Sequence, residues 1–190
     1  MTEGTAARTD RVRNSHSQSG GDPVVCAARA MLDQCAAFVQ AVDAPRYAAD
    51  SSILKGGSIG KHVRHVLDHY RAIFAAISGN TVIDYDRRER NVPMETSPAA
   101  ALEAIGKLRA EVDRLGSAAI SSPIRIRVMV GGDGSQAELL SSIGRELAFA
   151  THHAVHHHAM LGAIASEFGV QTGPDFGKAP STINHERCSC

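Results

Sequence analysis

From residue 23 onward, stretches in which apolar residues recur every three or four positions alternate with stretches in which they do not. Val25, Ala28, Met31, Leu32, Cys35, Phe38, Val39 and Val42 share one stripe. They predict a helix that opens on Asp22-Pro23, an N-cap followed by proline in the first turn, and runs to about Val42. After a linker with Pro45, Gly56 and Gly57, residues Ile59, Val63, Val66, Tyr70, Ile73, Phe74 and Ile77 predict a second helix. It spans about 58–78, is capped by Ser58 and is stopped by Ser78-Gly79-Asn80. Ser97-Pro98 opens a third, carrying Leu102, Ile105, Leu108, Val112 and Leu115. A fourth, about 136–168, carries Leu140, Ile143, Leu147, Ala150, Ala154, Leu161, Ile164, Ala165 and Phe168 and ends at Gly169. Between the third and fourth, IRIRVMV alternates before GGDG, which reads as a short strand or an extended crossover.

Four amphipathic helices with one long connection predict an all-α fold, a four-helix bundle with a long crossover between helices 3 and 4. The expected organisation is a disordered N-terminal tail over residues 1–22, the bundle over 23–182 and a C-terminal tail over 183–190, the end of the chain being mostly irregular. Composition agrees. A length of 190 residues fits one domain with tails, and 43% hydrophobic content suffices for one core. With 4% aromatic residues and no tryptophan, Leu, Ile, Val and Ala must fill that core, which favours packed helices over a sandwich.

A net charge of zero and a pI near 7.2 remove the global electrostatic argument for a nucleic-acid partner. No apolar run approaches the roughly 20 residues needed to cross a bilayer, and the polar N-terminus lacks the apolar segment of a signal peptide. The expectation is a cytoplasmic protein, without membrane or nucleic acid, acting on a small molecule and pairing as a homodimer. Cys26 and Cys35 read as buried thiols in a reducing compartment. Cys188 and Cys190 form a C-x-C in the polar tail, either incidental or a redox or soft-metal pair.

The ten histidines change the picture. Histidines four apart on a helix lie on one face and can share an ion. The fourth helix offers His152 with His156 and His153 with His157; the second offers His65 with His69, and His62 one turn earlier. Helical geometry places His153 and His157 on one flank of the apolar stripe, where a pocket at the core edge would lie, and turns His152 and His156 away. His158 falls on the other flank, to pack in the core or donate to a carbonyl. On the second helix periodicity alone slightly favours His62, since His65 lies roughly 80° from the stripe centre. The alternatives to metal binding are a polar core network or an exposed histidine-rich face.

SIGKHVRHVLDHY (58–70) and HHAVHHHAM (152–160) together resemble the DinB/YfiT-like superfamily of metalloenzymes, over about residues 25–182. The S-[IV]-x-x-H-x-x-H-x-x-D pattern fits 58–68 and H-x-x-H-H fits 153–157; the closing FGKAPST (176–182) also looks like tails of that group. The resemblance implies a four-helix bundle with a metal on His65, His153 and His157, overruling the preference for His62. It implies a metal-dependent enzyme: a thiol S-transferase activating a low-molecular-weight thiol, or a hydrolase. A non-catalytic metal-binding or stress protein, or a metal that only staples helices, stays open. Histidine-only sites suit zinc first, with nickel, iron or copper as alternatives. Asp68, three residues from His65, is expected to orient it or else to be an ordinary exposed helix charge, and His69 is a candidate acid/base group or fourth ligand. Glu146 is a further outer candidate, with a solvated or capping role favoured. Arg87, Arg88 and Arg90 in DYDRRERN are expected to grip a carboxylate of the thiol cofactor, or to form a solvated loop.

Overall fold

The computed structural model describes residues 21–87 and 89–189. Apart from Gly21 and Asp22, the tail expected to be disordered lies outside the described residues, as do Arg88 and Cys190. The four long helices each begin at a side-chain cap. The Asp22 carboxylate accepts from Val24 N at 2.8 Å, with Pro23 in the first turn, and starts α1 (Pro23–Gln40). Asp43 caps the short α2 (Ala44–Ala48). Ser58 Oγ accepts from Lys61 N at 3.2 Å and starts α3 (Ile59–Gly79), which stops at Asn80 in the left-handed conformation, φ 48°. Ser97 caps α4 (Pro98–Asp113) in the same way, and α5 (Ser117–Ile120) is a single turn. Ser142 caps α6 (Ile143–Glu167), and α7 (Pro180–Cys188) forms near the C-terminus, where the sequence predicted irregular chain.

The all-α four-helix bundle needs correction. A three-stranded mixed sheet, in the order β1 (Ile83–Asp84), β2 (Pro123–Met129), β3 (Gln136–Ser142), lies beside the helices. β1 runs parallel to β2, with Ile83 opposite Ile126; β2 and β3 form an antiparallel hairpin with Ile126 opposite Leu139. The fourth long helix therefore starts at Ile143, not near 136. QAELLSS satisfies a helical pattern as readily as a strand, and pairing with β2, a partner the periodicity of this segment cannot report, decides the outcome.

The core forms where α1, α3, α4 and α6 meet. Leu32 and Val39 of α1, Val63, Leu67 and Ile73 of α3, Val112 of α4 and Leu147, Leu161 and Ile164 of α6 are all fully buried. Each such side chain contributes about 1.5–3 kcal/mol of transfer free energy. Thr151 bridges two core helices: its Oγ1 donates to Leu147 O at 2.8 Å, leaving it to accept from Tyr70 Oη at 3.1 Å. The chain after α6 folds back so that Phe176 stacks between Phe38 and His158, ring centroids 4.8 Å from each. Gly177 makes this approach possible: its φ is +74°, and a Cβ there would lie 2.6 Å from the Ala159 backbone. Cys26 departs from the expectation of burial. Cys35 is buried and Cys26 exposed, since nine residues at about 100° each put them on opposite sides of α1. Among the described residues no helix is long and apolar enough to cross a membrane.

Candidate metal centre

Packing of α3 against α6 creates a seam on which histidines from both helices meet. On α3, Val63, Val66 and Leu67 turn into the core, which leaves His62 and His65 half-buried on the flank facing α6. On α6, Ala154 and Leu161 hold the core side, and His153 and His157 point across the seam one turn apart. His153 Nε2 lies 3.0 Å from His65 Nε2 and 3.1 Å from His157 Nε2. One ligand atom from each of the three lies within 4.8 Å of the others. Tetrahedral zinc at 2.0–2.1 Å requires nitrogens roughly 3.3 Å apart, close to this spacing. The rings stand edge to face, His65–His157 centroids at 4.4 Å and His153–His157 at 4.5 Å, so their nitrogen edges converge rather than stack.

Electrostatics keep the central ring neutral. Burial, then the neighbouring imidazoles beginning with His153, push His157 down to about 3. His62 is also held below the usual histidine range, by burial and then by His156. A neutral imidazole offers a lone pair to a cation, which a protonated one does not.

Around these rings lie residues of two kinds. His69, buried, donates from Nδ1 to His65 O at 3.0 Å in the tautomer that satisfies both groups. Its ring sits 4.2 Å from that of His153 and stacks on Tyr85 at 5.1 Å. Tyr85 Oη donates to Glu146 Oε2 at 2.7 Å, and Glu146 Oε1 accepts from Ser141 Oγ at 2.5 Å and from Arg145 Nη1 at 2.7 Å. Glu146 is fully buried, so the solvated role expected for it is corrected. Burial and the adjacent carboxylate raise Tyr85 well above the usual phenol range, so it keeps its proton. Tyr85 escaped the sequence reading, its only signal being a lone aromatic in a charged stretch.

The remaining candidates are spread more widely. Asp68 takes Arg64 Nη1 at 2.9 Å and Arg71 at 3.6 Å, and Arg64 reaches Glu95 at 2.9 Å, so this carboxylate anchors a charged network beside α3. Arg87 is exposed and lines, with Asp68, Arg71, Asp84 and Arg127, an open cavity of about 820 Å³. Arg90 is exposed in the same loop, and Arg88 lies outside the described residues. A separate cavity of about 440 Å³ opens onto His62, His65 and His157, and Lys55 and Lys61 sit in its wall. His152 and His156 are exposed. His158 is buried beside Gln34, Nδ1 to Oε1 2.8 Å, and burial pushes it down to about 4.

No protein-family profile matches the chain. It is similar to FK506-binding protein 5 of Rhizopus delemar, 37% identical over 106 residues, which make up 55% of this chain and 28% of that protein. The chain thus spans little more than a quarter of its relative's length. This similarity overturns the DinB/YfiT-like assignment, because the long shared stretch leads to a protein named for binding FK506. The thiol S-transferase and hydrolase activities implied by that assignment fall with it. The physical reason is the shortness of the motifs. Histidines three and four apart occur wherever one helix face presents imidazoles, and a few such anchors do not carry a family or a reaction.

Proposed function

We propose that this chain binds a single divalent transition-metal ion through His65, His153 and His157, zinc first by ligand chemistry, with nickel or iron also suited. The observation that carries this reading is the convergence of Nε2 atoms from two helices at 3.0 and 3.1 Å. Both close contacts run through the one Nε2 of His153, which can donate or accept but not both, whereas a cation can take a lone pair from each of the three rings. Three protein ligands leave an ion at least one further position, and the cavity of about 440 Å³ gives a small molecule a route to His65 and His157. The test is elemental analysis and calorimetric titration of zinc into the chain and a His153→Ala variant. The expected result is one ion per chain and a loss of at least 100-fold in the variant; equal metal content in the two overturns the ligand set.

The similarity to FK506-binding protein 5 favours a second reading, in which the chain also binds FK506. Titration of FK506 with and without zinc tests it: saturable binding that ignores the metal and survives His153→Ala supports an FK506 site independent of the metal centre, and no binding under either condition overturns this second reading.

A further inference from the structure

Resting on the metal reading above, we infer that His62 is a positioning residue: it accepts a hydrogen bond from His157 and so fixes which nitrogen of His157 faces the ion. His157 uses both ring nitrogens. Nε2 joins the cluster at 3.1 Å from His153 Nε2, and Nδ1 lies 3.1 Å from His62 Nδ1. A histidine that ligates through Nε2 carries its proton on Nδ1 and must donate it. The atom placed to receive it is His62 Nδ1, which in turn places the His62 proton on Nε2. His62 is not the third helix-borne ligand that periodicity favoured; it stands one shell further out, and the two rings meet tilted at 39° with centroids 5.3 Å apart.

The loop before α3 is shaped around this ring. A Cβ on Gly57 would lie 2.9 Å from His62 Nε2, closer than real Cβ contacts allow, and 3.1 Å from Leu54 O, tighter than most of them. Gly57 N is itself tied to Leu54 O at 2.8 Å, and Gly57 O accepts from Ser51 N at 2.8 Å, so the loop does not easily step back. Absence of a side chain at 57 therefore preserves the space in which His62 meets His157. The φ of Gly57 lies outside the left-handed range, so alanine there adds bulk without backbone strain.

The experiment uses cobalt(II) as the probe, with affinity from chelator competition and geometry from the visible d–d absorption. His62→Phe keeps an aromatic ring but removes the acceptor, and is expected to weaken cobalt binding about 10–100-fold and alter the spectrum. His62→Gln, whose Oε1 accepts, is expected to restore most of the affinity. Gly57→Ala changes no polar group and is expected to weaken binding in the same direction by displacing the His62 ring; it carries the test should His62→Phe fail to fold. Cobalt binding by both His62→Phe and Gly57→Ala within about twofold of the unsubstituted chain, with unchanged spectra, overturns the inference. So does an X-ray absorption count showing one imidazole fewer in His62→Phe, which makes His62 a ligand. No cobalt binding by the unsubstituted chain overturns the metal reading itself and this inference with it.

Discussion

Two polar clusters lie along the α3–α6 seam within two turns of each other, and they are built on opposite rules. Around Glu146 every strong group meets its complement: the buried carboxylate accepts from Tyr85, Ser141 and Arg145. Such a node is closed, holding the strand end, the loop after β1 and the start of α6 together and asking for nothing more. Around His157 like meets like. His62, His65 and His153 surround it, and the ligand atoms that meet there are imidazole nitrogens. A buried polar group is retained where it is paired or where it binds something. The first cluster explains itself within the chain; the second is the one for which we propose a cation.

Removing the central ring should have the largest effect. His157→Ala takes away a proposed ligand together with the His62 contact, and zinc affinity measured by chelator competition should fall at least 100-fold, while the apo melting temperature shifts by far less than in the next variant. Survival of tight binding would make the histidine cluster as closed as the Glu146 node. Glu146→Ala tests the other side of the contrast. It leaves the buried Tyr85 hydroxyl without its acceptor and should cost about 1–3 kcal/mol, read by urea unfolding, with little change in metal affinity. A loss of affinity as large as that of His157→Ala would join the two clusters into one functional unit.

Smaller effects sharpen the picture away from the seam. Ser97→Ala removes the cap that starts α4, remote in sequence from both clusters, and should cost about 1 kcal/mol in the same unfolding assay. Thiol labelling perturbs least. Burial pushes Cys35 up to about 12, whereas Cys26 is exposed, so iodoacetamide at pH 8 should modify Cys26 and spare Cys35 until the chain unfolds, as read by peptide mass spectrometry.

Legibility followed the range of the interaction. Asp22, Ser58 and Ser97 announced helix starts because a cap acts over two or three residues. The start of α6 was misplaced because Leu139 and Leu140 fit a helical stripe until Ile126 of β2 claims the segment. The α7 helix was missed for want of an apolar stripe; Lys178–Glu186 and Arg187–Asp175 ion pairs join it to the preceding loop instead. For the site, i,i+4 spacing offered two pairs on the fourth helix, and their place relative to the apolar stripe favoured His153 and His157. Periodicity alone leaned to His62; which His157 nitrogen each of His62 and the His65–His153 pair approaches depends on the rotation of α3 against α6, and Tyr85 and the burial of Glu146 depend on how the sheet lies against the helices.

By itself, then, the order of residues determined which segments coil, where their caps lie and which helix faces carry imidazoles, because these are matters of near neighbours on a regular backbone. The folded arrangement alone decided that residues 136–142 pair as a strand, that three Nε2 atoms from two helices meet, and that a fourth histidine stands behind one of them. Those outcomes depend on contacts between segments far apart in the chain, and their geometry is set by how cores pack, which no local spacing encodes.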